Sequence, residues 1–253
     1  MNKKKIYDNY MSFIYASPER ILGIEKEFMS HYFWNRKYIN AFLPDDKKSK
    51  ILDVACGVGS NLFSFEKFGY KDITGIDISQ ECVNFCRSRK GQSCKVLKIS
   101  AEQFLVDKKN KFDVITVYHL VEHIEKDKII SFIKLLKFAL RKNGVLIIHM
   151  PNGANAISVG HDRYVDMTHE TLYTSDSLRE LLLVGGFKDE DIIIKEEVGY
   201  SSDDRKFLRK IVKTLALPVI TFLVDLVWYV FFISQGCGLR KNRPILFSVS
   251  INR

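Results

Sequence analysis

Residues Ile51-Leu-Asp-Val-Ala-Cys-Gly-Val-Gly-Ser60 read as a buried strand that runs into a glycine turn. Gly57 and Gly59, spaced as Gly-x-Gly, let the backbone approach a ligand because neither carries a side chain. The ligand this points to is a nucleotide. A dinucleotide fold asks for a third glycine at position 62 to pack helix on strand, and this chain has Leu62, which argues against a nicotinamide dinucleotide. Asp53 lies just before the turn, and Ile73-Thr-Gly-Ile-Asp-Ile78 sets a second carboxylate, Asp77, at the end of the next expected strand. A ribose with two free hydroxyls suits Asp77. The turn taken alone is equally readable as a tight connection.

Outward from the turn the chain alternates in type. Strands are expected at 51–55, 72–78, 94–100, 112–119 and 144–150, with helices at 60–67, 79–89, just after 100, and 125–141. Such a βαβ series forces a mostly parallel sheet with helices on both faces and a crevice at the strands' C-terminal ends. Ahead of it, residues 14–43 read as a helix rich in aromatics (Phe28, Tyr32, Phe33, Trp34, Tyr38), expected to close over the crevice as an N-terminal cap spanning 1–47. Tyr7, Tyr10 and Tyr15 are candidates for lid contacts.

At 253 residues the chain suits one large α/β domain, 48–253, behind that cap. A formal charge of +9 favours an anionic partner: a phosphate-bearing substrate, a lipid surface or RNA. Five cysteines without a Cys-x-x-Cys pair argue against a disulfide framework or structural zinc, and no apolar run follows the basic N-terminus. A cytoplasmic protein is expected.

Asp53-Val-Ala-Cys-Gly57-Val-Gly59, Asp77, Ser100-Ala-Glu102, the strand Phe112-Asp-Val-Ile-Thr-Val117 and Asn143-Gly-Val-Leu-Ile-Ile-His-Met-Pro-Asn152 together resemble the class I S-adenosylmethionine-dependent methyltransferases, over roughly 48–200. The resemblance implies a Rossmann-like fold with a mostly parallel seven-stranded sheet. Its last two strands would be 191–198 and 244–251, with a helical insertion at about 200–243 between them. It also implies S-adenosylmethionine as cofactor, bound by Asp53, Ala55, Gly57, Gly59, Asp77, Ile78, Ala101, Glu102 and His119. The glycine turn would lie under the methionine, Asp77 would take the ribose hydroxyls, and 100–102 would flank the adenine. Ala55 replaces the usual first glycine, and Ser100 stands where an aspartate often meets the adenine amine.

Two stretches bear on the acceptor. Tyr118-His-Leu-Val-Glu-His123 resembles the Glu-x-x-Glu-His element of ubiquinone-biosynthesis and small-RNA 2′-O-methyltransferases, in which acids and histidine hold a divalent metal. Were the turn helical, His119, Glu122 and His123 would share a face and offer a metal site. The alternative, preferred here, is that Glu122 and His123 line the cofactor pocket without metal. His161-Asp-Arg-Tyr-Val-Asp-Met-Thr-His169, with the helix that follows and Gly185-Gly-Phe187, resembles bacterial methyltransferases acting on O-antigen and other surface saccharides. Its implied reaction is O-methylation of a saccharide or a lipid-linked glycan precursor. His169 is the expected base, Asp166 its orienter, His123 the competing base beside Glu122, and Arg163 and His161 the acceptor contacts. The alternatives are an RNA 2′-O-methyltransferase and a small-molecule, quinone-type O-methyltransferase. RNA is disfavoured because no basic stripe interleaves with aromatics in the core.

Leu215 to Ile233 is apolar enough to pass for a membrane span. Strands on both sides of it in one sheet, and Asp225 within it, point instead to a helix lying on an anionic membrane surface, with basic residues from Arg205 to Lys213 and from Arg240 to Arg243 at its ends. Packing on the domain or on a second copy is the equal alternative.

Overall fold

The computed structural model describes residues 6–7, 9, 18–89, 93–154, 159–197 and 247–252. Five parallel strands form the body of the sheet: β1 (Lys50–Val54), β2 (Asp72–Asp77), β3 (Lys95–Lys98), β4 (Phe112–Tyr118) and β5 (Leu140–Pro151), in the spatial order β3-β2-β1-β4-β5. Outside β5 the sheet continues through β7 (Phe247–Asn252), which runs antiparallel to its neighbours, and then β6 (Ile192–Glu197), which pairs with β7 and so runs in the direction of the body. The chain winds one way from β1 to β3 and the other way from β4. The carboxyl ends of β1, β2 and β4 therefore splay around a crevice at the switch point.

The helices are α1 (Pro18–Tyr38), α2 (Ser60–Lys67), α3 (Gln80–Ser88), α4 (Ala101–Leu105), α5 (Ile129–Ala139), α6 (Val159–Tyr164) and α7 (Ser175–Val184). Alternate strand residues divide between the two faces, as the period of two requires. Leu52, Val54, Ile115, Val117, Leu146 and Ile148 join one core with Phe132, Ile133 and Leu136 of α5 and Leu178 and Leu182 of α7. Ile51, Val114, Val145 and Ile147 join the other, with Trp34 of α1 and Leu62 and Phe65 of α2. Helix starts are marked locally. The Ser79 and Ser100 hydroxyls accept from the amides of Cys82 and Gln103, and Thr174 with Ser177 closes a capping box at α7.

Two expectations shift. The helix expected over 125–141 begins only at Ile129 and ends at Ala139, and β5 starts at Leu140 rather than at 144. The apolar period that seems to carry the helix onward belongs to the sheet. Leu140 is buried opposite Phe112, and Arg141 Nη1 donates to both Asp113 carboxylate oxygens at 2.8 and 2.7 Å. A register shift between Phe112 and Val114 and a left-handed Asn143 (φ 65°) then bring the strand into line. Leu62, the residue that argued against a dinucleotide, is fully buried over Gly75 of β2, where an added Cβ would sit 2.8 Å from Leu62 Cδ1. The close approach of helix and strand thus draws its room from the strand's glycine.

The expected strands at 191–198 and 244–251 correspond to pairing over 192–197 and 247–252. No helix among the described residues is long and apolar enough to cross a membrane. The apolar run at 215–233 lies outside the described residues.

Candidate active site

The turn after β1 is built from three left-handed residues: Ala55 (φ 56°), Gly57 (φ 52°) and Gly59 (φ 88°). Only glycine adopts this region without strain, and alanine is the smallest departure from it. Asp77, at the end of β2, locks the turn. Its Oδ2 accepts from the Gly57 amide and its Oδ1 from the Ser79 amide, both at 2.8 Å. Burial raises the Asp77 carboxyl above the ordinary range, and the amides of Ser79, Gly57 and Ile78 pull it part of the way back.

Around this turn lies a cavity of about 870 Å³. Asp53, Ala55, Gly57, Asp77, Ile78, Ala101, Glu102 and His119 all border it. Gly59 does not: it is the N-cap of α2, turned toward Cys86 Sγ. Ser100 borders the cavity while its hydroxyl caps α4. Of the tyrosines named as lid candidates, Tyr7 lines the cavity, and Tyr10 and Tyr15 lie outside the described residues.

Beneath the turn runs a buried polar chain that sequence reading misses. Tyr118 Oη donates to Asn35 Oδ1 at 3.1 Å, Asn35 Nδ2 to Asn61 Oδ1 at 3.0 Å, and Asn61 Nδ2 to Asp53 Oδ1 at 3.2 Å. Thr116 Oγ1 donates to the same Asp53 oxygen at 2.5 Å. The chain fastens α1 to the cavity floor and holds Asp53 from below. Asp53 Oδ2 is buried without a partner among the described residues, and burial drives the carboxyl up to about 7. One signal was available: Ile24, Phe28, His31 and Asn35 recur at helical spacing, which places Asn35 on the inward face of α1. His31 and Glu27 of that helix also line the cavity.

The acceptor side is formed where two loops meet. His119 is not helical, as the metal reading required. It takes a left-handed conformation (φ 50°) after β4, and only Val121–His123 form a single 3₁₀ turn. The Glu122 carbonyl accepts from the amides of Glu170 at 2.7 Å and Thr171 at 3.2 Å, which staples the loop after α6 onto this turn. His169 is thereby brought to His123, with ring centroids 4.6 Å apart. Glu122, fully buried, lies beneath them, and its Oε1 is 3.3 Å from His119 Nδ1.

Hydrogen-bond partners assign the tautomers of the pair. His169 Nδ1 meets the Asp162 carbonyl, which can only accept, so Nδ1 carries the proton. Thr168 Oγ1 gives its own proton to Asp166 Oδ1 at 2.6 Å and so accepts from His123 Nδ1 at 2.7 Å. In the neutral form of either ring the remaining lone pair is on Nε2. Burial lowers the His123 pKa, which keeps that ring neutral. Asp166 does not orient His169, as expected from the sequence. It acts on His123 through Thr168, and the two hydrogen bonds from Thr168 hold it below the usual carboxylate range against its partial burial.

Of the expected site residues, His119 and His123 border the cavity, and His169 and Glu122 stand behind them. His161 is exposed and Arg163 lies beside Tyr164; neither borders the cavity.

Residues 26–192, which span the glycine turn, Asp77 and the histidine pair, match the family described as a methyltransferase domain. The chain belongs to this family. The methyltransferase domain is 26% identical to YqeM of Bacillus subtilis over 157 residues, 60% of this chain and 62% of that protein. It is 34% identical to the ubiquinone biosynthesis O-methyltransferase of Pseudoalteromonas translucida over 76 residues, 29% of this chain and 32% of that enzyme. The chain thus spans less than two thirds of the length of these curated relatives. In fold it is similar to a SAM-dependent methyltransferase from Archaeoglobus fulgidus (TM-score 0.62, 18% identity, 94% of this chain and 100% of that one). It is also similar to phosphoethanolamine N-methyltransferase 2 of Haemonchus contortus in complex with S-adenosyl-L-methionine (TM-score 0.57, 16% identity, 87% of this chain and 51% of that one).

The cavity fits that cofactor. A Cβ added at Gly57 would meet no protein atom within 4 Å and would stand in the space beside the turn. Asp77 offers a carboxylate at the rim for a diol. Ile78, 40% exposed despite its apolar side chain, gives a flat group a surface to rest on. S-adenosylmethionine is the cofactor of the methyltransferase domain.

Proposed function

We propose that this chain methylates an acceptor hydroxyl with S-adenosylmethionine as donor, and that the acceptor is a saccharide or a lipid-linked glycan precursor. The observation that carries the oxygen acceptor is the imidazole pair His123 and His169, with ring centroids 4.6 Å apart, of which His123 borders the cofactor cavity and has its Nδ1 committed to Thr168. When bound, the donor supplies a methyl group already activated on a sulfonium. The chain's task is then to place and activate the nucleophile. Asp77 and the Gly57 turn fix the donor's ribose and methionine ends, and α1 with Tyr7 keeps water from the cleft. A sugar hydroxyl is a poor nucleophile at neutral pH, and imidazole is the side chain matched to that pH for its activation. Asp166, through Thr168, keeps His123 in the tautomer this needs.

Support for the glycan acceptor is the likeness of residues 161–187 to saccharide methyltransferases, together with the basic charge of +9, which suits a phosphate-bearing lipid-linked substrate. A small quinone-type phenol is the second reading. It is favoured by the identity of 34% and 35% to two ubiquinone biosynthesis O-methyltransferases over 76 and 78 residues.

Incubation with donor labelled in the methyl group, in turn with lipid-linked glycans, polyprenyl phenols and RNA, tests the proposal. Label is expected in the glycan fraction and to be lost about 10²–10⁴-fold in His169→Ala. Label confined to nitrogen or carbon acceptors refutes it.

A further inference from the structure

The buried chain from α1 to Asp53 has a direction, and that direction decides what Asp53 offers the cavity. A carboxylate oxygen accepts and does not donate. Asn61 therefore turns its Nδ2 to Asp53 Oδ1 and its Oδ1 to Asn35, Asn35 in turn gives its Nδ2 to Asn61 and its Oδ1 to Tyr118, and the Tyr118 hydroxyl donates. Every bond points the same way. With Thr116 Oγ1 donating as well, Asp53 Oδ1 holds two donors, while Oδ2 has no partner among the described residues. Asp53 is only 1% exposed and borders the cavity, so Oδ2 is an acceptor left for the cavity's occupant.

The glycine turn that takes the methionine end of the donor begins with Ala55, two residues beyond Asp53. At that end of S-adenosylmethionine the ammonium is the one group that donates hydrogen bonds, and it is charged. We propose that Asn35 of α1 is a positioning residue for the donor: through Asn61 it holds Asp53 so that Oδ2 receives the donor's ammonium. The carboxylate of an aspartate rotates softly about its last torsion, and two donors on Oδ1 restrict it to one setting. One of those donors, the Asn61 amide, is itself set by Asn35, which is wholly buried and belongs to α1, not to the strands and turn that frame the crevice. The helix that fastens to the cavity floor thus also aims the carboxylate at the donor. This positioning holds whichever acceptor is methylated.

Calorimetry on the whole chain with two ligands tests it: S-adenosylhomocysteine, and the same molecule with hydrogen in place of its amino group. The wild type is expected to bind the first at least tenfold tighter, as a hydrogen bond between charged groups provides. Asn35→Leu should weaken S-adenosylhomocysteine about tenfold and leave the deamino ligand within about twofold, so that the preference collapses. Asn35→Asp, of the same size but with no proton to give Asn61, should do likewise. Asp77→Ala, at the ribose, should weaken both ligands alike, and Arg36→Ala, on the exposed side of α1, neither. Circular dichroism shows which variants fold. Should neither Asn35 variant fold, Tyr118→Phe carries the test, since it removes only the hydroxyl that sets the Asn35 amide, and the preference should fall about threefold. A wild type that binds both ligands equally overturns the proposal, as does a folded variant that keeps the full preference. A loss equal for both ligands also overturns it and leaves Asn35 as the fastening of α1 alone. No acceptor enters these measurements, so their failure leaves the proposed function standing, and failure of the glycan acceptor leaves Asn35 in its role.

Discussion

At the scale of single residues, the two aspartates around the turn do different work. Asp77 faces the cavity and already accepts two backbone amides, so Asp77→Ala removes both the lock on the glycine turn and the carboxylate offered to a ribose. A charge-assisted bond of that kind contributes about 1.5–3 kcal/mol, so calorimetry should show S-adenosylmethionine binding weakened at least tenfold. Unchanged affinity would remove Asp77 from the site. Asp53 is held from below with Oδ2 unpartnered among the described residues, and burial, which pushes its pKa up to about 7, makes its ionised form destabilising. The sign is the reverse of the usual carboxylate. Because the folded pKa lies above the unfolded value, the native state retains a proton that the unfolded chain has released, and stability contributed by this group falls as pH rises from about 4 to 7. Asp53→Asn keeps an acceptor for Thr116 and Asn61 and removes the titration. Its stability relative to the wild type should therefore grow across that window, by on the order of 4 kcal/mol at most, and level off above pH 7. Denaturant unfolding at pH 4, 5.5, 7 and 8 reads this directly, and a constant difference would contradict it.

At the scale of elements, the crevice depends on how closely α2 approaches β2. Gly75 is the point of contact: a Cβ there would lie 2.8 Å from Leu62 Cδ1 and 2.9 Å from Cys56 Sγ. Leu62 is fully buried, and Cys56, nearly so, lies between this contact and the cavity it lines. Gly75→Ala is expected to cost about 1–3 kcal/mol of stability and, because Cys56 belongs to the turn, to weaken cofactor binding as well. Loss of thermal stability without any loss of affinity would separate the two elements from the turn. The same scale explains the cap. Phe28 of α1 stacks on Phe63 of α2 at 5.5 Å, and Trp34 meets Tyr118 and His149 edge-on at 6.1 and 4.7 Å. The helix is thus anchored to α2 at its middle and to the sheet at its C-terminal part.

At the scale of the whole molecule, charge and apolar length act together. The formal charge of +9 and the basic residues that border the apolar run at 215–233 suit a surface carrying anionic headgroups, where a lipid-linked acceptor would be met. Flotation with liposomes is the measurement. Binding is expected with anionic vesicles at low salt, to weaken at high salt, and to be absent with neutral vesicles. No binding to either would leave packing on the domain or on a second copy as the role of that run.

What the sequence determined by itself is what short-range chemistry encodes. The apolar strand runs alternating with helical stretches and the turn between Asp53 and Gly59 depend only on neighbours along the chain, and these were enough to expect the βαβ winding and a nucleotide crevice at the strands' ends, while the identity of the cofactor came from resemblance. The boundary at 139–140 was not legible, because a leucine satisfies a helix face and a sheet edge alike, and only pairing opposite Phe112 decides between them. The partnerships of the histidines were hidden for a related reason. Spacing along one segment suggested His119 with Glu122 and His123, and Asp166 with His169. His119 does meet Glu122, but the contacts that bring His123 to Thr168 and His169 join residues more than 40 positions apart, set by two amides of one loop donating to the Glu122 carbonyl of another. Such a contact leaves no period in the sequence, so tertiary structure alone decides which imidazole meets which acid.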